Sequence, residues 1–290
     1  MNVYWNEQYC APETHFETFQ KSRVIVDRIT QRPSVGSRVT IKDPAETPGA
    51  LQLAEQLIKE NLTSEYYAAV TTGQPSGLAN SNGFPWDVGV WKHVLNSTAG
   101  ILCAVDDICA RGHLQSSSLS SGLHHARRDR GAGFCTVNSL AIGALYARRS
   151  GRVVVLDLDA HWGGGTTRYI KNSGVLQVDL STHDYDSYKV DATDVGSWFG
   201  FAGADDYFDQ LTTGLAALCS LQPDIVLYNA GVDVYPKLTE AQVGERDHIV
   251  ANHLRSLGCK TVLVMAGGYG DFRTIADMHV ETIAAFADVN

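Results

Sequence analysis

Two carboxylates and an imidazole occupy every second position of Asp157-Leu158-Asp159-Ala160-His161, directly after the apolar run Val153-Val154-Val155-Leu156. In an extended chain that spacing puts all three side chains on one face. The apolar, β-branched run reads as a buried parallel strand. Gly163-Gly164-Gly165 behind it lets the backbone turn sharply or approach another group closely. A buried strand gains nothing by ending in two acids and a histidine unless a cation or proton-transfer chemistry compensates them. Hard oxygens with one imidazole form a ligand set that Zn2+, Fe2+ or Mn2+ accepts. The plainer alternative is a solvated strand end carrying ordinary charges.

Three more strand candidates, at 175–180, 224–228 and 261–265, also end in polar or glycine-rich sequence. They run into Ser181-Thr182-His183, Asn229-Ala230-Gly231-Val232-Asp233 and Ala266-Gly267-Gly268-Tyr269. In an open parallel sheet the C-terminal strand ends line one crevice, so Asp159, His161, His183, Asp233 and Tyr269 are expected to converge. Asp159, His161 and Asp233 then supply three protein ligands and leave a fourth position for water, as a catalytic metal site requires. A metal there lowers the pKa of the water and polarises a carbonyl. The water needs a proton acceptor, and Gly122-Leu123-His124-His125-Ala126 offers two adjacent imidazoles on a loop. Tyr269 could donate its hydroxyl to a developing oxyanion; alone it would be an ordinary aromatic at a turn.

The elements that must position these groups alternate regularly in the second half of the chain. Helical periodicity is read over 16–29, 48–62, 94–111, 137–149, 205–219 and 243–257. Short strands are read at 3–5 and 66–70, and Ser/Gly-rich loops at 71–87 and 115–122. Helices between strands imply right-handed crossovers, hence a mostly parallel sheet with helices on both faces in three layers. No linker or composition break appears, so residues 1–290 are expected to form a single catalytic domain.

Bulk composition excludes several classes. A net charge of −9 without a Lys/Arg cluster argues against a nucleic-acid partner. No apolar run approaches a membrane span, and the N-terminus lacks the basic-then-apolar pattern of a secretory signal. Six scattered cysteines without a C-x-x-C pair suit reduced thiols and a cytoplasmic protein. Cys135 reads as a small buried filler rather than a nucleophile.

Taken in order, His124-His125, Gly131-Ala132-Gly133-Phe134-Cys135, Asp157-Leu158-Asp159-Ala160-His161, Asn229-Ala230-Gly231-Val232-Asp233 and Gly267-Gly268-Tyr269 resemble the histone deacetylase family of the arginase–deacetylase fold. The flavour is nearest to the class IV type and its bacterial relatives, with Arg246-Asp247 a further point of likeness. The resemblance is strong over about 120–290 and loose before that. It implies zinc, or ferrous iron, held by Asp159, His161 and Asp233. It implies His125 as general base and then acid, His124 beside it oriented by Asp157, and Tyr269 polarising the acyl carbonyl. Gly133 and Phe134 would line a narrow tunnel for the acyl-lysine chain. A structural K+ or Na+ would fall near Asp157, Asp159, His161 and Ser181. The implied reaction is hydrolysis of an N-acyl amide, of acyl-lysine or of a small acylated amine such as an acetylpolyamine.

Two departures stand out. The family usually carries His or Gln after the ligand histidine and Asp or Asn two residues further on, where this chain has Trp162 and Gly164. That Asp or Asn normally partners the second histidine of the pair. His125 is therefore expected to have a lowered pKa, or a partner not identifiable from sequence. The acidic rim residue of the family has no clear match in 71–87. A binuclear manganese ureohydrolase of the same fold is excluded because Gly163 stands where it needs a carboxylate. A phosphate loop is excluded because no Lys-Ser/Thr follows the glycines. A catalytically impaired binding module is the rival that Trp162 and Gly164 motivate. Sequence leaves the oligomeric state open.

Overall fold

A computed structural model describes residues 1–11, 17–188 and 196–287. Its frame is an eight-stranded sheet: β1 (Asn2–Tyr4), β2 (Thr40–Lys42), β3 (Gln115–Ser118), β4 (Val153–Asp157), β5 (Leu176–Ser181), β6 (Trp198–Phe201), β7 (Ile225–Asn229) and β8 (Lys260–Val264). The spatial order is β2-β1-β3-β8-β7-β4-β5-β6, and every pairing is parallel. The expected α/β layering is therefore present, and the four strand ends singled out above lie next to one another in the order β8, β7, β4, β5.

Period-two alternation divides the core into two layers. Val154, Leu156, Val226, Tyr228 and Leu263 face one side, packed with residues of α1 (Lys21–Gln31), α7 (Tyr207–Leu221), α8 (Glu240–Ser256) and α9 (Phe272–Ala287). Val153, Val155, Ile225, Leu227, Val262 and Val264 face the other. There they meet α2 (Ala50–Asn61), α3 (Ser64–Thr72), α4 (Val88–Cys109) and α5 (Ser139–Ala147). Both faces are covered, which is why the strands read as continuous apolar runs rather than alternating ones.

Two local expectations fail. Residues 66–70 form part of helix α3, not a strand: Thr63 caps it by accepting from the Tyr66 N–H, and Gly73 ends it in the left-handed region. Tyr66, Ala69 and Val70 share its buried face at helical spacing, which the β-rich composition concealed. The serine run read as a loop is strand β3, buried at every residue between β1 and β8. Its hydroxyls have internal partners: Ser116 donates to Asp107, Ser117 to the Leu263 carbonyl, and Ser118 bonds Ser120 and Tyr9. A polar strand is tolerated at the centre of a sheet because each hydroxyl is satisfied there. Strands β2 and β6, helix α9 and the short helix α6 (Gly164–Ile170) were not anticipated.

Candidate active site

The chain leaves β4 at Asp157 and carries Asp159 and His161 into the crevice, where Asp233 arrives from the adjacent β7. His161 Nδ1 lies 3.1 Å from Asp159 Oδ1 and 3.1 Å from Asp233 Oδ2. One ligand atom from each of the three residues lies within 4.8 Å of the other two. Asp233 Oδ1 accepts from the Ala160 N–H at 3.0 Å, tying the two strand ends together. Its Oδ2 is buried without a well-aligned donor, although His161 approaches it. An under-satisfied carboxylate oxygen, a second carboxylate and an imidazole nitrogen around one point match the donor preferences of zinc or ferrous iron. The residues fit the metal.

The electrostatics agree with that fit. Burial would lower the His161 pKa, but hydrogen bonds to Asp159 and Asp233 outweigh it and push it up to about 10. Burial would raise Asp159, yet the charge on His124 and the His161 hydrogen bond hold it well below the usual carboxylate range. Asp233 is pushed up by burial and then by the Asp159 charge. Two acids this close repel each other, and either a cation between them or a proton on one relieves the pair.

The histidine pair follows β3. His124 donates from Nδ1 to Asp157 Oδ2 at 2.8 Å, and Asp157 Oδ1 accepts from Asn229 Nδ2 at 2.7 Å. Burial works against a charged His124, but the charges of Asp157 and Asp159 prevail and raise it to about 10. His125 goes the other way, lowered by burial and by charged His124 despite a carboxylate partner. The two Nε2 atoms are 3.1 Å apart. The pair is thus divided into a protonated and a neutral imidazole.

The partner of His125 was the gap in the sequence reading, and Asp186 fills it. Its Oδ2 lies 3.1 Å from His125 Nδ1, from the loop that follows β5. Of the two expectations, the partner not identifiable from sequence is the one found; burial and charged His124 nonetheless outweigh Asp186 and lower the His125 pKa. Nothing local marks Asp186. Its only signal was the missing acid at position 164. Of two other buried residues, Asp179 has no role in the sequence reading and Arg246 is there only a point of likeness. Asp179 is pushed up to about 8 by burial and by Asp157, while Tyr188 donates to it at 2.7 Å. Arg246 bonds the carbonyls of Leu158 and Gly231, one in each ligand-bearing segment, while its Nε donates to Asp247 at 2.8 Å.

A cleft of about 740 Å3 leads to His125, His161 and Tyr269. Phe134 and Tyr185 are 44% and 43% exposed respectively and line it together with Gly133. Gly133 has φ +51°, and a Cβ there would stand 2.6 Å from His125 and 2.9 Å from Tyr185. Phe134 is itself left-handed, with φ 62°, held by an N–H donated to Asn82. His183 lies at the cleft with its ring 5.0 Å from His161, whereas Tyr188 turns inward to Asp179. Beside the cleft, Phe84 packs on Phe19, and Trp86 donates to the Val70 carbonyl. Deeper in, a cavity of about 60 Å3 is bordered by Lys21, His93, Cys135 and Tyr269. Burial lowers Lys21 to about 8, and its ammonium donates to the Gly267 carbonyl. Burial raises the Cys135 thiol to about 12, in keeping with a filler.

The model of the histone deacetylase domain matches residues 50–285. This chain belongs to the histone deacetylase family. Among its relatives, an uncharacterized protein of Picosynechococcus sp. is 31% identical over 64% of this chain and 66% of its own. The acetoin utilization protein AcuC of Bacillus subtilis is 26% identical over 70% of this chain and 59% of its own. For an acetylpolyamine amidohydrolase of Burkholderia pseudomallei the figures are 29%, 57% and 51%. The aligned part is thus less than two thirds of the length of each. The crystal structure of an acetylpolyamine aminohydrolase from Burkholderia pseudomallei superposes with a TM-score of 0.72 at 19% identity, covering 99% of both chains. That likeness is one of fold, and it extends the family's architecture to the N-terminal part, where sequence alone was weak.

Proposed function

We propose that this protein is a metal-dependent deacylase that hydrolyses the amide of an acyl-lysine or a small acylated amine. The observation that carries the reading is the meeting of Asp159, His161 and Asp233 with the divided His124–His125 pair at the foot of an aromatic-walled cleft. Zn2+ or Fe2+ held by those three residues would acidify water and polarise the acyl carbonyl. His125, the neutral member of the pair, with its Nε2 3.1 Å from that of His124, is suited to take the proton of the attacking water and return it to the leaving amine. His124, held protonated by Asp157, adds positive charge beside the reacting carbonyl. Tyr269 lines both the cleft and the inner cavity, where its hydroxyl can donate to the oxygen that gains charge. Asp157, Asp159, His161 and Ser181 remain the candidates to hold K+ or Na+ beneath the site.

Phe134 and Tyr185 suit the aliphatic stem of a lysine, and the inner cavity of about 60 Å3 suits a short acyl group. Among the described residues lining the cleft there is no carboxylate, and Arg130 is present. That favours acyl-lysine over a polycationic acetylpolyamine, the substrate class in one relative's name.

A panel of acetyl-lysine peptides, acetylpolyamines and longer acyl-lysines tests the reading. Hydrolysis of acetyl-lysine is expected, abolished by a chelator and restored by Zn2+ or Fe2+. Stoichiometric metal with no turnover on any member would overturn it in favour of a binding module.

A further inference from the structure

We infer that Asp186 is the positioning residue of His125, supplied from the β5–β6 connection in place of an acid on the β4 side of the site. The inference rests on the proposed role of His125 as base. Three observations carry it. Asp186 Oδ2 lies 3.1 Å from His125 Nδ1, and its side chain is only 5% exposed. Its second oxygen, Oδ1, accepts from Arg127 at 3.0 Å, with Arg168 3.6 Å away, so the carboxylate is fixed on both sides. Finally, a Cβ at Gly164 would stand 2.4 Å from the Asp186 carbonyl oxygen and 2.8 Å from its carboxyl carbon. Glycine at 164 is therefore the complement of aspartate at 186: any side chain at the first position expels the second.

The consequence is one of tautomer. A carboxylate on Nδ1 keeps the proton there and leaves Nε2, 3.1 Å from His124 Nε2, as the acceptor. Asparagine at 186 would be oriented by the arginines, which can only donate. Its oxygen would stay on Arg127 and its amide N–H would meet His125 Nδ1. The ring would then carry its proton on Nε2 and could not act as a base. Alanine would leave the ring free to exchange tautomers. The conservative variant is thus the more damaging one, the reverse of what a packing role predicts. The same segment supplies Tyr185 to the cleft wall, 4.9 Å from the His125 ring, so wall and base partner come from adjacent residues.

The test compares Asp186→Asn with Asp186→Ala in the metal-loaded enzyme by kcat, KM and 15N NMR of the histidine side chains, with Tm measured on both. We expect kcat to fall about 10- to 100-fold in Asp186→Ala and further in Asp186→Asn, with KM within about threefold. The His125 signal in Asp186→Asn is expected to move to the Nε2–H tautomer. Unchanged kcat in both variants, or an unchanged His125 tautomer in Asp186→Asn, overturns the inference. If the unaltered protein hydrolyses no acyl amide, the functional reading fails, while the NMR comparison still decides whether Asp186 sets the tautomer.

Discussion

A proton and a metal compete for the same three side chains. His161 in the metal-free protein holds its proton up to about pH 10 through Asp159 and Asp233, so at neutral pH a binding metal must displace it. Metal affinity is expected to rise with pH from 6 to 9, with close to one proton released per ion at pH 7.5. Calorimetry in two buffers of different ionisation enthalpy checks this. Asp233→Asn removes one acid and is expected to weaken metal affinity at least 100-fold. Stability follows the same protons. His124 and His161 have folded-state values of about 10 against an unfolded value near 6.5. Their contribution is full below about pH 6.5 and is lost as pH rises toward 10. Asp179, raised to about 8, adds in the same direction. The Tm of metal-free protein should therefore fall between pH 7 and 10; a Tm rising over that window would contradict the assignment.

Strand ends carry the proposed ligands, and a single helix joins two of those ends. Arg246 of α8 is fully buried and bonds the carbonyls of Leu158 and Gly231 while paired with Asp247. Tyr228 and Thr282 also donate to Asp247. Arg246→Met would leave that carboxylate buried without its cation, which costs roughly 3–5 kcal/mol. Urea denaturation should show that loss, accompanied by weaker metal binding because the β4 and β7 ends lose one of the ties between them. The sequence reading found α8 from its periodicity and noted Arg246-Asp247 only as a point of family likeness. It could not see that the pair's role is to join two carbonyls that lie 73 residues apart along the chain.

At the scale of the whole molecule, a metal held by Asp159, His161 and Asp233 would join adjacent strands at the centre of the sheet and should stabilise the fold as a ligand. At free metal about 100 times Kd the gain is roughly 2.7 kcal/mol, or a rise in Tm of roughly 4–5 °C for a chain of this size. Thermal melts with and without chelator measure it, and equal melting temperatures would mean that the cluster binds no metal. Among the described residues no helix is long and apolar enough to cross a membrane.

Local pattern determined much of this protein: the parallel strands, the helices between them, the three metal-ligand candidates and the histidine pair. Each of those signals lies in a few consecutive residues, where side-chain period and burial act directly on sequence. Tertiary structure alone decided the rest. Strand β3 is built from serines whose hydroxyls are satisfied only by partners distant in sequence, so its composition imitates a loop. Asp186 meets His125 across 61 residues, and only the empty space above Gly164 admits it. A carboxylate's charge acts through distance in space rather than along the chain, so an acid lost from one segment can be replaced from another without leaving any local mark.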